Sequence, residues 1–512
     1  MVRARMKMNL LITAERTLVI APMLAGVLMA AQDPAARVAS EPELYQETYR
    51  PQFHFTAARN WLNDPNGLVF YRGEYHLFFQ HNPQGVQWGN MTWGHAISRD
   101  LVRWRQETHA LLPDALGTMF SGSAVVDWQN TTGFKTRGEN PLVLIYTAAG
   151  GTSDESKGQP FTQCLAFSND RGRSWTKYYN NPVLKNIHAD NRDPKVFWHK
   201  PTRRWIMALY VPQPDPQKLE ANGKPATLHT VQFLASADLK DWTYLSQMDG
   251  LFECPDLFEL PVNDQWSQSQ WVLFGADGEY WLGQFDGFRF TPETPKQRGD
   301  WGKNFYAAQT FSDIPPSDGR RILIGWMRGG QYPGMPFNQQ MTFPCELSLR
   351  RTADGIRLCK WPVREISSLY ARTRVLENRL VKPGDNPLPT LQSELLDIDA
   401  VIAPGTAESV GFLLRGATVK WDARTHKLDA LGCQADLAPI RGQLHLRLLL
   451  DRSSLEVFGG RGLVTLSTCF LPPPPDRDIR FFCQGGEARL ISLKLRELES
   501  AWPQASKPES EQ

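Results

Sequence analysis

One short unit recurs along the chain, and it restricts the fold more than any other feature of the sequence. Ser98-Arg-Asp100-Leu-Val-Arg-Trp104 returns as Ser168-Asn-Asp170-Arg-Gly-Arg-Ser-Trp175 and again as Ser236-Ala-Asp238-Leu-Lys-Asp-Trp242, at intervals of about 70 residues. A weaker relative, Gly283-Gln-Phe-Asp286-Gly287-Phe-Arg-Phe290, follows. In such a unit the Ser and Asp side chains close a turn through backbone hydrogen bonds, and the aromatic ring packs between neighbouring sheets. The segments around the units read as short strands, for example residues 67–71 and 74–80 about an Arg72-Gly73 turn. Convincing long amphipathic helices are absent. Near-regular copies of one turn, set among short strands, imply four-stranded blades stacked around an axis, an all-β propeller. A further aromatic strand at 304–309 brings the expected count to five blades over residues 47–362.

The pattern then changes. Residues 361–374 read as a connector, and a new alternation runs from Pro387 to Leu498, with strands at 444–450, 454–458 and 463–470. This predicts a C-terminal β-sandwich over residues 375–498, followed by a disordered Ser/Glu/Gln-rich tail at 499–512. At the other end, Arg3, Arg5, Lys7 and Arg16 precede an apolar run at 18–31 that is too short to span a bilayer comfortably. With the small residues Ala30, Ala31, Ala35 and Ala36, it predicts a signal peptide and linker over residues 1–40. The expected location is therefore secreted or periplasmic, with no stable membrane insertion after cleavage.

Composition removes several functional classes. The 56 basic and 54 acidic residues leave a formal charge of +2, so no basic field is present to attract nucleic acid. Seven Cys without a CxxC spacing and ten dispersed His without HExxH predict no metal site, and buried free thiols rather than a disulfide framework.

Three carboxylates stand in distinctive settings. Asp64 lies in Trp61-Leu-Asn63-Asp64-Pro-Asn66-Gly67, Asp193 in Asn191-Arg192-Asp193-Pro194-Lys195, and Glu253 in Phe252-Glu253-Cys254-Pro255-Asp256. Each falls where a blade's first strand begins. Those strands line a propeller's axis, so acids far apart in sequence would meet at one end of the funnel. Most single Asp and Glu residues are solvated or close turns, and Asp-Pro is an ordinary turn signal. Position alone therefore leaves the three as candidates.

Taken together, these motifs resemble glycoside hydrolase family 32, the invertase, inulinase and levanase family, over nearly the whole chain. The resemblance also rests on Trp88-Gly89-Asn90-Met91-Thr-Trp93-Gly94-His95, on Phe120-Ser121-Gly122-Ser123 and on Asp451-Arg-Ser-Ser454-Leu-Glu456-Val-Phe458. It implies a five-bladed propeller followed by a sandwich, and hydrolysis of terminal fructose from β-fructans or sucrose without a cofactor. Asp64 would be the nucleophile, Glu253 the acid/base and Asp193 the transition-state stabiliser. Asn63, Gln80, Trp88, Phe120, Ser121, Arg192 and Trp326 would bind the sugar. Retaining chemistry sets the nucleophile and the acid about 5–5.5 Å apart. Asp64, beside Asn63 and turn amides, is expected to stay ionised, with Arg192 keeping Asp193 charged. Glu253, flanked by Phe252 and Pro255, is expected to be partly desolvated. Two departures stand out: Leu62 replaces a common Met, and Thr92 occupies a position where His is usual, near the expected subsite wall.

Other readings stay open. A fructosyltransferase would share the same covalent intermediate. A non-catalytic sugar-binding propeller would have lost a carboxylate, yet all three are present. A sialidase-type propeller carries the Ser-x-Asp-x-Gly-x-x-Trp unit but needs three converging arginines, and only Arg192 sits in a motif.

Overall fold

The computed structural model describes residues 44–503 apart from 137, 389, 390, 392 and 474–477. The expected leader at 1–40 lies outside the described residues. Four-stranded antiparallel units follow one another along the chain; the first also pairs in parallel with Phe337–Asn338, and the last two are joined by a parallel pairing of Val262 with Leu349. Blade I comprises Asn60–Tyr71, Glu74–Asn82, Thr92–Ser98 and Trp104–Gln106. Blade II comprises Thr118–Val126, Leu142–Ala149, Thr162–Ser168 and Thr176–Lys177. Blade III comprises Arg192–His199, Arg204–Leu219, Pro225–Ser236 and Thr243–Asp249. Blade IV comprises Asp256–Val262, Gln265–Phe274, Glu279–Phe285 and Phe290–Pro292, and blade V comprises Tyr306–Thr310, Arg321–Trp326, Cys345–Thr352 and Gly355–Pro362.

The period of two along each strand explains why blades stack. In blade II, Leu142, Leu144 and Tyr146 pack with Val69, Phe78 and Trp93 of blade I, while Val143 and Ile145 pack with Val196, Trp205 and Leu209 of blade III. Every blade is thus apolar on both faces, and the strands read as nearly continuous hydrophobic runs. Further apolar layers join blades III and IV, blades IV and V, and blades V and I, which closes the ring. Each fully buried Leu, Ile or Val contributes about 1.5–3 kcal/mol.

The repeated units form the turns expected of them. Ser98 Oγ donates to Asp100 Oδ1 at 3.1 Å, and the Asp100 carboxylate accepts the backbone N–H groups of Val102 and Arg103. Ser168 with Asp170, and Ser236 with Asp238, repeat the arrangement. Trp104, Trp175 and Trp242 each pack into an interblade layer.

A 3-10 turn, Arg364–Leu369, leads into a two-sheet sandwich. One sheet runs Tyr370–Val381, Ala488–Leu498, Leu396–Ala403, Leu444–Asp451, Ser454–Gly459 and Val464–Cys469 in spatial order. The other runs Cys433–Asp436, Lys427–Ala430, Ala417–Asp422, Ser409–Leu414 and Ile479–Gln484. The first strand begins at Tyr370, inside the stretch expected to be a connector and ahead of 375. It is an edge strand with a mostly exposed pattern, so its sequence shows little apolar alternation. Of the tail expected over 499–512, residues 499–503 are described, and there Trp502 is buried, stacks on Tyr45 and donates its indole N–H to the Pro51 carbonyl. All seven cysteines are free thiols. No helix among the described residues is long and apolar enough to cross a membrane.

Candidate active site

The inner strands of the blades begin at one end of the axis, and four carry an irregularity there. Register shifts fall between Asn63 and Pro65 in blade I and between Phe120 and Gly122 in blade II. Others lie opposite Arg192–Lys195 in blade III and between Tyr306 and Gln309 in blade V. In a regular strand successive side chains point to opposite faces. A bulge adds a residue and lets two neighbours point the same way. Asn63 with Asp64, Phe120 with Ser121, and Arg192 with Asp193 therefore all line one cavity of about 300 Å³. Backbone strain accompanies the arrangement: Asp193, Glu253 and Cys254 have φ of 63°, 50° and 41°, in the left-handed region that non-glycine residues avoid.

All ten residues singled out in the sequence line this cavity: Asp64, Asp193, Glu253, Asn63, Gln80, Trp88, Phe120, Ser121, Arg192 and Trp326. Phe252, Tyr306 and Arg328 join them. Phe252 stands beside Glu253 in the sequence, whereas Tyr306 shows there only as one aromatic in the expected strand at 304–309. Arg328, two residues past Trp326, carries no signal in a single sequence. Thr92 is instead buried, donating its hydroxyl to the His81 carbonyl at 3.1 Å, and it is not part of the cavity wall.

The carboxylates are held by different partners. Asp64 accepts from Asn63 Nδ2 at 3.0 Å on one oxygen and from Ser121 Oγ at 2.6 Å on the other. Trp61 in turn orients Asn63, and Gln80 donates to Ser121. Asp193 Oδ2 accepts the Cys254 backbone N–H at 3.2 Å. The Cys254 thiol lies between the two aspartates, 3.7 Å from Asp64 Oδ2 and 3.5 Å from Asp193 Oδ2. Glu253 is gripped on one oxygen by the Arg192 guanidinium and on the other by the Tyr306 hydroxyl. Arg192 also binds Asp190 at 2.6 Å and lies over the Tyr210 ring, while Arg328 lies over Tyr306. Trp88 is 55% exposed at the rim, its ring edge-on to Phe120.

Electrostatics depart from the sequence expectation. Burial pushes Asp64 above the ordinary carboxylate range; the hydrogen bonds from Ser121 and Asn63 oppose it, and the nearby Glu253 charge adds to it. Asp193 is pushed up to about 7, again chiefly by burial, with Arg192 opposing and Glu253 and Asp64 reinforcing. Arg192 spends its direct contacts on Glu253 and Asp190 and stands 3.8 Å from Asp193, so it does not outweigh burial. Burial beside neighbouring carboxylates therefore favours the protonated form of both aspartates.

Deeper in, the inner strands are tied across the axis. Gln309 accepts the Leu68 N–H and donates to the Gly122 carbonyl, and buried Lys195 bridges Asp256 at 3.2 Å and the Thr310 carbonyl at 2.7 Å. The cavity therefore opens at one end.

The sequence matches the model of the glycosyl hydrolases family 32 N-terminal domain over residues 54–362 and that of the family 32 C terminal over residues 365–497. A levanase of Bacillus subtilis (strain 168) is 38% identical over 513 residues, covering 91% of this chain and 72% of its own. An extracellular exo-inulinase of Aspergillus awamori is 32% identical, covering 90% of this chain and 96% of its own. A crystal structure of exo-inulinase from Aspergillus awamori superposes with a TM-score of 0.80 at 29% identity, covering 90% of this chain and 100% of that chain. A fructofuranosidase from Schwanniomyces occidentalis complexed with fructose gives 0.76 at 27% identity, with 90% and 100% covered. Both modules match in order, and the residues that carried the resemblance meet in one cavity: the chain belongs to glycosyl hydrolases family 32.

Proposed function

We propose that the protein is a retaining β-fructofuranosidase that releases terminal fructose from β-fructans, levan or inulin, and from sucrose. The observation that carries this reading is the meeting of Asp64, Asp193 and Glu253, from three blades, at the wall of one cavity open at a single end. Such a pocket takes a chain end rather than a chain interior, which favours exo action.

Asp64 attacks the anomeric carbon of fructose as Glu253 gives its proton to the departing glycosidic oxygen, and the carbon–oxygen bond breaks. Glu253 then takes a proton from water, the water oxygen attacks the same carbon, and Asp64 leaves with fructose released. The hydrogen bonds from Ser121 and Asn63 favour the ionised form of Asp64 that attack requires. Arg192 and Tyr306 fix the Glu253 carboxyl, so one group can serve both steps in the same place. Asp193 bonds ring hydroxyls and stabilises positive charge developing on the ring. Trp88, exposed at the rim, stacks the leaving portion. The chemistry needs no cofactor.

Product chromatography over time, with levan, inulin and sucrose, tests the reading. From levan and inulin the expected result is fructose as the first free sugar with no early oligomers, and from sucrose fructose with an equal amount of glucose. Early oligomers would mean endo cleavage, and lengthening products would mean fructosyl transfer. Asp64→Ala should abolish turnover. Glu253→Ala should cost about 10²–10⁴ in rate on natural substrate and less with an activated leaving group, where azide should intercept the fructosyl-enzyme. Near-normal turnover by either variant would overturn the assignment. The same reading includes export: the basic and apolar leader should be cleaved between about residues 30 and 40, which N-terminal sequencing of the released protein checks.

A further inference from the structure

The far mouth of the propeller holds a second and larger cavity, of about 820 Å³. It is lined by the opposite ends of the inner strands, from Phe70 in blade I to Ser312 after blade V, roughly 20 Å along the strands from the carboxylates. The cross-axis ties at Gln309 and Lys195 separate the two spaces. The catalytic reading uses nothing here.

The lining is built for a ligand with flat apolar faces and many hydroxyls. Trp128 is 48% exposed, yet its indole is fixed: Nε1 donates to Asp313 Oδ1 at 2.8 Å, and Tyr71 packs against the ring at 5.7 Å. Trp266, on blade IV, is 61% exposed. Trp271 lines the same cavity, braced by Phe285 at 5.3 Å. Polar groups share the space: the Asp313 carboxylate and the Arg321 guanidinium, which donates to the Phe311 carbonyl at 3.2 Å and lies over Phe258. Indoles present rigid amphipathic faces at little entropic cost, and polar donors and acceptors among them give orientation.

We propose that this mouth is a second carbohydrate-binding site, holding a β-fructan chain on Trp128 and Trp266 while a chain end is processed at the other mouth. The inference rests on the fructan reading for the identity of the sugar. A polymer held at both mouths gains effective concentration at the catalytic pocket, whereas sucrose, too short to reach both, gains nothing.

The test joins kinetics to binding. Trp128→Ala, Trp266→Ala and the double variant are assayed on sucrose and on levan and inulin. Retention in native gels containing each polymer is measured in the Asp64→Ala background with fructose saturating the catalytic pocket. The expected result is unchanged kcat/KM on sucrose, KM on at least one polymer raised about ten-fold or more, and loss of the fructose-resistant retention on that polymer. The sucrose rate reports folding, and exposed Trp266→Ala alone serves if the double variant does not fold. Unchanged retention and polymer KM would overturn the proposal. A changed sedimentation coefficient with intact retention would overturn it in favour of contact between copies. A parent protein that hydrolyses sucrose but shows no fructose-resistant retention leaves the catalytic reading standing and refutes this one. Retention without hydrolysis of any fructan or sucrose does the reverse.

Discussion

Asp64 and Asp193 occupy surroundings that work against their own ionisation, and what each does in response differs. Asp64 has both oxygens hydrogen-bonded, by Asn63 and Ser121. Removing the 2.6 Å bond in Ser121→Ala should raise its pKa further, shift the acid limb of kcat/KM to higher pH and slow turnover by about 10–100-fold, as expected for a bond to a charged group. A pH–rate profile checks both. Asp193, raised to about 7, binds a proton in the folded state that the unfolded chain releases near its ordinary range, so it costs stability as pH rises through that interval. Asp193→Asn should therefore unfold at a higher temperature than the parent above pH 7, while losing about 10²–10³ in turnover through lost transition-state stabilisation. The acids were legible because each sits in a run of several unusual neighbours. Tyr306 and Arg328 were not, since a lone aromatic in a strand or a lone arginine in a turn gives no sign of a site until the fold places it at the cavity.

At the scale of the strand, the bulges determine which side chains reach the cavity. In blade II the shift after Phe120 depends on Gly122, where a Cβ would stand 2.1 Å from the Ile145 carbonyl oxygen. Gly122→Ala should force the two strands apart or re-register the bulge. It should lower the thermal midpoint, and it should cut turnover more than the stability loss explains because Ser121 is re-aimed. Comparing activity with circular dichroism on the same preparation separates the two effects. The strands were legible because both faces of each blade are buried and the turn units mark their ends. The bulges were not: they arise where tertiary pairing meets the axis, and Asn63-Asp64 reads locally as a turn. The edge strand Tyr370–Val381 was missed for the related reason that an exposed strand has no apolar period to detect.

At the scale of the molecule, a buried ionic knot joins the segment before blade I to the sandwich. His54 is wholly buried with Nδ1 2.9 Å from Asp451 and Nε2 2.9 Å from Glu456. Burial alone would lower its pKa, but the two carboxylates prevail and raise it to about 9. Asp451 also accepts the backbone N–H groups of Gln52 and Phe53. A raised histidine stabilises fully below its unfolded value near 6.5 and loses that contribution as pH rises through about 9. The thermal midpoint should fall across that window. His54→Gln should flatten the fall and destabilise at neutral pH by about 3–5 kcal/mol, because it strands buried carboxylates. Calorimetry from pH 6 to 10 checks both. The same knot gives a physical role to Asp451 and Glu456 in the strand motif that the sequence displayed without explanation.

The same segment has a consequence for how the protein is made. Residues 51 and 52 accept hydrogen bonds from Trp502 and Ala501, and Gln52 donates to Asp451 across 399 positions. Chains fold from the N-terminus as they emerge, but here the first blade's anchor waits for residues near the far end of the described chain. Until those residues have emerged, the segment before blade I lacks its partners. A nascent chain stalled short of Asp451 lacks these bonds and should remain protease-sensitive and inactive.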